Sequence, residues 1–249
     1  MITPPFDANT IASTHSSLTG LLAGFALAAL FLLIEYSGLD KSLLQRELSR
    51  AMLLLFIASV IGTLSSFLYS SIVGLTQVRA YFDFIVSAPV FAITTLLLLA
   101  GVNEVLRVVG SAEVITLARR ISYFVILFSV LRVWQDLSLA ANLFGLGTQA
   151  QVTLAAAFIA PSAVAAIVIN SHYVPLLRWI SHRTFSAFCY VSVLISFGIA
   201  FVIAAHNMVP EAQIWLPKAE PILLMVSLSC LGTWTMILLA YERMPVDKN

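Results

Sequence analysis

A chain of 249 residues in which 60% are hydrophobic and only 10% are charged is too apolar to fold as a water-soluble domain. The formal net charge of +1, without a long basic or acidic run, gives no basis for a nucleic-acid partner, and we expect none. The composition instead indicates an integral membrane protein whose main surroundings are the lipid bilayer.

The apolar residues fall into seven runs, each close to the roughly 20 residues that a helix needs to cross a bilayer. Because lipid offers the backbone no hydrogen-bond partners, these runs predict membrane-spanning helices. The sequence therefore predicts an all-α, seven-transmembrane-helix bundle that forms a single polytopic domain over residues 1–249. Residues 1–17 are read as a polar tail without the basic start of a cleavable signal peptide. The predicted spans 1 to 7 are residues 18–36, 51–72, 82–102, 121–143, 152–170, 185–205 and 221–241.

The basic residues are concentrated on one side of the predicted membrane. Arg79 and Lys218 lie on the other side, and Arg132 lies within span 4. The positive-inside rule then places the N-terminus outside and the C-terminus in the cytoplasm, with the plasma membrane as the expected location. The remaining basic residues lie between spans 1 and 2, between spans 3 and 4, between spans 5 and 6 and after span 7: Lys41, Arg46, Arg50, Arg107, Arg119, Arg120, Arg178, Arg183, Arg243 and Lys248.

Small residues recur at helical spacing in span 1, at Gly20, Gly24 and Ala28, and span 5 is rich in alanine around Pro161. Small side chains let membrane helices approach closely. Two interpretations remain open at this point. The stripes pack within one chain, or they form contacts in a homo-oligomer or with another membrane protein.

Two charged clusters occur within the predicted spans or at their ends. Arg79, Asp83 and Ser87 are four residues apart, so they share one face at the outer end of span 3, and Thr94 continues near that face. This pattern indicates an ion entrance or a proton-acceptor site, because ionisable groups at membrane depth are costly and need a partner or a use. The alternative is an interfacial ion pair whose arginine extends to the membrane surface.

Arg132 and Asp136 in span 4 form the second cluster, and they are also four residues apart. Arg132 lies about 16 Å along that span at 1.5 Å per residue, near the membrane midplane. The pair is interpreted either as an ion or ligand site or as a structural ion pair. Glu35 and Glu104, near inner helix ends, are expected to reach the cytoplasmic interface.

Signatures of catalysis and of metal binding are missing from the sequence. Neither an HExxH motif nor a GxSxG motif occurs, and the spacing of the two cysteines is not that of a metal site. The four histidines are expected in the N-terminal tail and the loops. We therefore expect neither an enzyme nor a metal centre. These histidines are His15, His172, His182 and His206.

Residues 80–89 in span 3 resemble the corresponding stretch of the microbial rhodopsins, which are seven-helix proteins with an outside N-terminus. Those proteins carry a tyrosine, then a carboxylate two residues later, then an aromatic residue, a hydroxyl residue and often a proline. The resemblance implies that Asp83 occupies the primary counterion and proton-acceptor position, with Ser87 as the hydroxyl beside it. The residues that fit are Tyr81, Asp83, Phe84, Ser87 and Pro89.

The sequence departs from the microbial rhodopsins at the residues that bind the chromophore. Span 7 has no lysine, and the lysines of the chain, Lys41, Lys218 and Lys248, lie outside the spans. A Schiff base needs an amine, so covalent retinal is not expected. The family's proton-donor position falls on Thr94 and its arginine position on Ala80. No cofactor is expected, although a non-covalent apolar ligand remains open.

These observations leave three interpretations of function. The first is a rhodopsin-like bundle without covalent retinal that acts as a modulator, a ligand-binding protein or an ion conductor. The second is a structural or assembly subunit of a larger membrane complex. The third is a small transporter or channel that uses its buried charge pairs. The five candidate site residues are Arg79, Asp83, Ser87, Arg132 and Asp136.

Overall fold

The computed structural model of the chain describes residues 7–39, 44–111, 113–115, 117, 118, 121 and 182–208. These residues are largely helical and include no strand. Predicted spans 1, 2, 3 and 6 fall on described helices, whereas spans 4, 5 and 7 lie outside the described residues except for Ile121. The helices are α1 (Ala8–Leu39), α2 (Leu44–Ile72), α3 (Gln77–Val109) and α4 (His182–Asn207).

Three of these helices are long and apolar enough to cross a membrane, over Ala8–Glu35, Leu48–Ile72 and Arg79–Leu106. In α4 the apolar stretch Tyr190–Ala205 is shorter. The protein is therefore membrane-embedded and helical in the part that the structure describes, as the sequence predicted.

Helix α1 begins ten residues before the predicted start of span 1, because polar residues hold its first turn. The Asp7 carboxylate accepts a hydrogen bond from the Asn9 backbone N–H at 3.1 Å and another from Thr10 Oγ1 at 2.6 Å. Such a side chain satisfies backbone donors that have no partner within the helix. The predicted polar tail is thus partly helical.

A short turn over residues 73–76 joins α2 to α3. Gly74 adopts a positive φ of 92°, a conformation that favours glycine. The Asn9 side chain of α1 holds this turn, since it accepts a hydrogen bond from the Gly74 N–H at 3.2 Å and donates one to the Leu75 carbonyl at 3.3 Å. The start of α1, the end of α2 and the start of α3 therefore lie together. We call this region the Asp83 end of the bundle.

Close contacts show that neighbouring helices run antiparallel. Ser16 and Ser66 are paired across α1 and α2, with each hydroxyl donating to the other residue's carbonyl at 3.0 and 2.9 Å. Further along the same helices, a Cβ added at Gly62 would lie 3.0 Å from the Cβ of Ala23 and 2.9 Å from the methyl group of Thr94. All three membrane-crossing helices therefore meet at Gly62.

Helix α3 lies at the centre of the described bundle. Every residue from 79 to 90 is buried, whereas α1 exposes large apolar side chains such as Phe31 and Leu32. A helix that is buried on all sides is typical of the interior of a bundle. A helix with an exposed apolar face is typical of the edge of a bundle in lipid.

Candidate functional site

The structure places three of the five predicted site residues together on α3. Asp83 and Ser87 have no exposed surface, and Arg79 is 9% exposed. The three residues follow each other at intervals of four, so they occupy one face of a continuous helix. The other two predicted residues, Arg132 and Asp136, lie outside the described residues.

The exposed fraction of Arg79 distinguishes a buried arginine from one that forms an ion pair at the membrane surface. A snorkelling arginine keeps its charged group in water at the membrane surface. Arg79 is 9% exposed, although it follows the exposed Thr76 of the turn by only three residues. Arg79 and Asp83 therefore both lie within the protein, at the first two turns of the central helix.

The Ser87 hydroxyl bonds to its own helix. Its Oγ donates to the Asp83 backbone carbonyl at 2.7 Å, and Thr94 Oγ1 makes the same kind of bond to Val90 at 2.9 Å. In both cases the hydroxyl proton is directed at the helix backbone. The lone pairs of Ser87 Oγ remain available as acceptors. Of Arg79, Asp83 and Ser87, Asp83 is the residue that can gain or lose a proton.

An aromatic cluster at the Asp83 end was not predicted from the sequence. The His15 ring of α1 lies 5.1 Å from the ring of Tyr69, 5.3 Å from Phe84 and 5.2 Å from Phe91, measured between centroids. Tyr69 in turn lies 5.5 Å from Phe84. Aromatic rings at these centroid distances attract each other. The cluster thus fixes α1 and α2 against the part of α3 that carries Asp83 and Ser87.

The expectation that all four histidines lie in the tail and loops was wrong for the three that the structure describes. His15 lies within α1, and the backbones of His182 and His206 lie in the first and last turns of α4. His15 was assigned to the tail because its polar neighbours lower the local hydropathy. The signal that identifies it is the capping sequence at Asp7, Asn9 and Thr10, which starts the helix earlier.

A second correction concerns Glu104, which was expected to reach the cytoplasmic interface. It is 3% exposed, and its neighbour Asn103 is 6% exposed. Glu35, by contrast, is exposed near the end of α1. Position along a helix predicted the same environment for both glutamates, but the packing of other elements around α3 buries only Glu104.

The Asp83 end thus brings a buried carboxylate, whose oxygens accept hydrogen bonds or protons, within one helical turn of an arginine, which carries a positive charge. Among the described residues there is no group of three His, Cys, Asp or Glu side chains that could hold a metal ion. Comparisons with protein-family models, with curated proteins and with solved structures find no match for this chain.

Proposed function

We propose that this protein conducts protons through a membrane-embedded helical bundle and that Asp83 is the group that binds the proton. The observation that carries this proposal is the complete burial of Asp83 in a helix that is itself enclosed and apolar enough to cross a membrane. Charged side chains at membrane depth are costly, and those that occur commonly line ion or proton pathways. The step is simple: a carboxylate oxygen of Asp83 takes up a proton, and the resulting acid releases it.

A purely structural role for Arg79 and Asp83 is a weaker account of the same burial. Two buried charges lose their hydration, and replacing such pairs by apolar residues of similar volume is often neutral or stabilising. Stability alone is therefore a poor reason for an acid and an arginine in the first turns of α3. Proton binding, by contrast, explains why a carboxylate is present at Asp83.

The proposed architecture is that of a rhodopsin-like bundle of seven spans, with the N-terminus outside and the C-terminus in the cytoplasm. Support comes from three membrane-crossing helices in the predicted order and from Tyr81, Asp83, Phe84 and Ser87 buried on α3. The proposal includes neither covalent retinal nor catalysis, because predicted span 7 has no lysine and no nucleophile–base pair can be assembled from the spans.

The test is proton flux into liposomes that contain the purified protein. A potassium gradient with valinomycin sets the membrane potential, and a trapped pH-sensitive dye reports the flux. We expect Asp83→Asn, which removes the acid at nearly constant volume, to abolish the flux. Glu35→Gln is the matched control, since it removes one carboxylate from an exposed site near the end of α1.

The proposal predicts flux in the wild-type protein and in the Glu35→Gln variant but not in the Asp83→Asn variant. Wild-type liposomes that are no more permeable than empty ones would rule out proton conduction. Equal flux in the wild type and in Asp83→Asn would remove Asp83 from the pathway.

A role as an assembly subunit is the second candidate, and the exposed face of α1 favours it. A Cβ added at Gly24 would meet nothing within 4 Å, and the neighbouring Leu21 and Phe25 are 56% and 60% exposed. A small residue between large apolar ones is typical of contacts between membrane helices. Under this proposal the partner is a second copy or another membrane protein. Counting subunits by single-molecule photobleaching, in wild type and in Gly24→Leu, tests it.

A further inference from the structure

Glu104 is the second buried acid of α3. It lies within the apolar stretch Arg79–Leu106 and is 3% exposed, and the amide of Asn103 beside it is 6% exposed. An ionisable side chain inside a membrane span is expensive and is a functional candidate by default.

Glu104 and Asp83 lie at opposite ends of the membrane-crossing part of α3. They are separated by 21 positions in one continuous helix, which corresponds to about 32 Å at 1.5 Å per residue. The hydrocarbon core of a bilayer is about 30 Å thick. Each acid therefore lies near one boundary of the membrane, inside the protein rather than in open solvent.

The antiparallel packing of α2 and α3 places apolar residues opposite Glu104. A Cβ added at Gly101, one turn before Glu104, would lie 2.9 Å from Leu55 of α2. In the same register, Ala51 lies level with Glu104 and Leu48 one turn beyond it, and neither has any exposed surface. The first apolar turns of α2 thus cover this part of α3.

Several charged and titratable groups lie near this end of α3. Arg107 follows one turn later on α3, and the first two turns of α2 carry Arg46, Glu47 and the half-buried Arg50. Helix α4, which also contacts α2 and α3, carries His182 and Arg183 at its start and His206 at its end.

We propose that Glu104 is a second proton-binding site, which exchanges protons with the aqueous phase at the C-terminal end of α3. The carboxylate takes one proton from that solution to form the acid, and the reverse step returns the proton. This inference rests on the proposed proton conduction by Asp83, and it assigns the other end of the same helix. The two acids then serve the two faces of the membrane.

Infrared difference spectra of the reconstituted protein between high and low pH test this directly. A buried acid that gains a proton gives a carbonyl stretching band that shifts in D₂O. We expect this band to lose one component in Glu104→Gln. Glu113→Gln, which removes an exposed acid just beyond α3, is the control and leaves that component in place. Glu104→Asp keeps an acid at the position and moves the component instead of deleting it, which covers the case in which the glutamine variant does not fold.

The outcomes separate this inference from the proposed function. A spectrum of Glu104→Gln identical to that of the wild type, or a spectrum of Glu104→Asp without a moved component, overturns the inference. If proton flux is lost in Asp83→Asn but unchanged in Glu104→Gln, Glu104 does not exchange protons at the C-terminal end of α3. The proposed proton conduction through Asp83 then still stands. If the infrared band contains the Glu104 component but the protein shows no proton flux, Glu104 is still a proton-binding site and the proposed function is wrong.

Discussion

The junction at Gly62 provides the sharpest test of the packing of α1, α2 and α3. Replacing Gly62 by alanine adds a Cβ that would lie 2.9 Å from the Thr94 methyl and 3.0 Å from the Ala23 Cβ. Neither neighbour yields easily. The Ala23 Cβ is attached directly to the backbone, and Thr94 is held by its hydrogen bond to the Val90 carbonyl at 2.9 Å.

The expected cost follows from comparison with a second glycine. Gly24 on α1 has nothing within 4 Å of an added Cβ. Both substitutions gain the same helix propensity, about 1 kcal/mol for Gly→Ala, so this contribution cancels in their difference. What remains is the overpacking at Gly62, which costs about 1–3 kcal/mol in a well-packed interior.

The assay is reversible unfolding of both variants in mixed micelles with increasing sodium dodecyl sulfate. We expect the free energy of unfolding of Gly62→Ala to be about 1–3 kcal/mol below that of Gly24→Ala. Helical content measured by circular dichroism serves as the control for correct folding. Equal stabilities for the two variants would show that α1, α2 and α3 do not meet at Gly62 and would refute the packing.

Three further predictions concern single contacts of the same bundle. Ser66→Ala removes the bond from the Ser66 hydroxyl to the Ser16 carbonyl and should lower the free energy of unfolding by about 1 kcal/mol, whereas Ser17→Ala, at an exposed site on α1, should leave it unchanged in the same titration. His15→Leu keeps apolar volume but loses three ring contacts and should destabilise the protein by about 1–3 kcal/mol; a His15→Phe variant as unstable as His15→Leu would contradict this. Asn9→Ala removes the acceptor of the Gly74 N–H, so amide hydrogen exchange of the 73–76 turn should accelerate by about tenfold, the equivalent of one hydrogen bond, and unchanged exchange would argue against this contact.

The sequence predicted the apolar cores of the described helices because hydropathy reports what lipid requires. Span 2 was predicted to end at residue 72, where α2 ends, and the face shared by Arg79, Asp83 and Ser87 follows from helical periodicity alone. The starts of α1 and α3 were predicted too late, at Leu18 and Phe82 rather than Ala8 and Gln77. Asp7 caps the first turn of α1, and Asn9 holds the turn that precedes α3, so these contacts rather than hydropathy determine where the two helices begin.

The burial of Glu104 and the surroundings of His15 could not be predicted in the same way. Both depend on which helices pack against which, and hydropathy along one helix contains no such information. Glu104 is buried by the elements around α3, while Glu35, at a comparable helix position, is exposed because α1 lies at the edge of the described bundle. His15 contacts residues of α2 and α3 that are more than fifty positions away in the chain.

We infer that α2 carries the chain from one side of a membrane to the other, so that α1–α3 enclose Asp83 within the bilayer. The most direct measurement is labelling of single cysteines at Thr76 and Lys41, in a background with Cys189→Ser and Cys230→Ser, by a membrane-impermeant maleimide. In sealed vesicles one position should react at once and the other only after detergent is added. Labelling of both positions from the same side would contradict the claim, because α2 would then not cross the membrane.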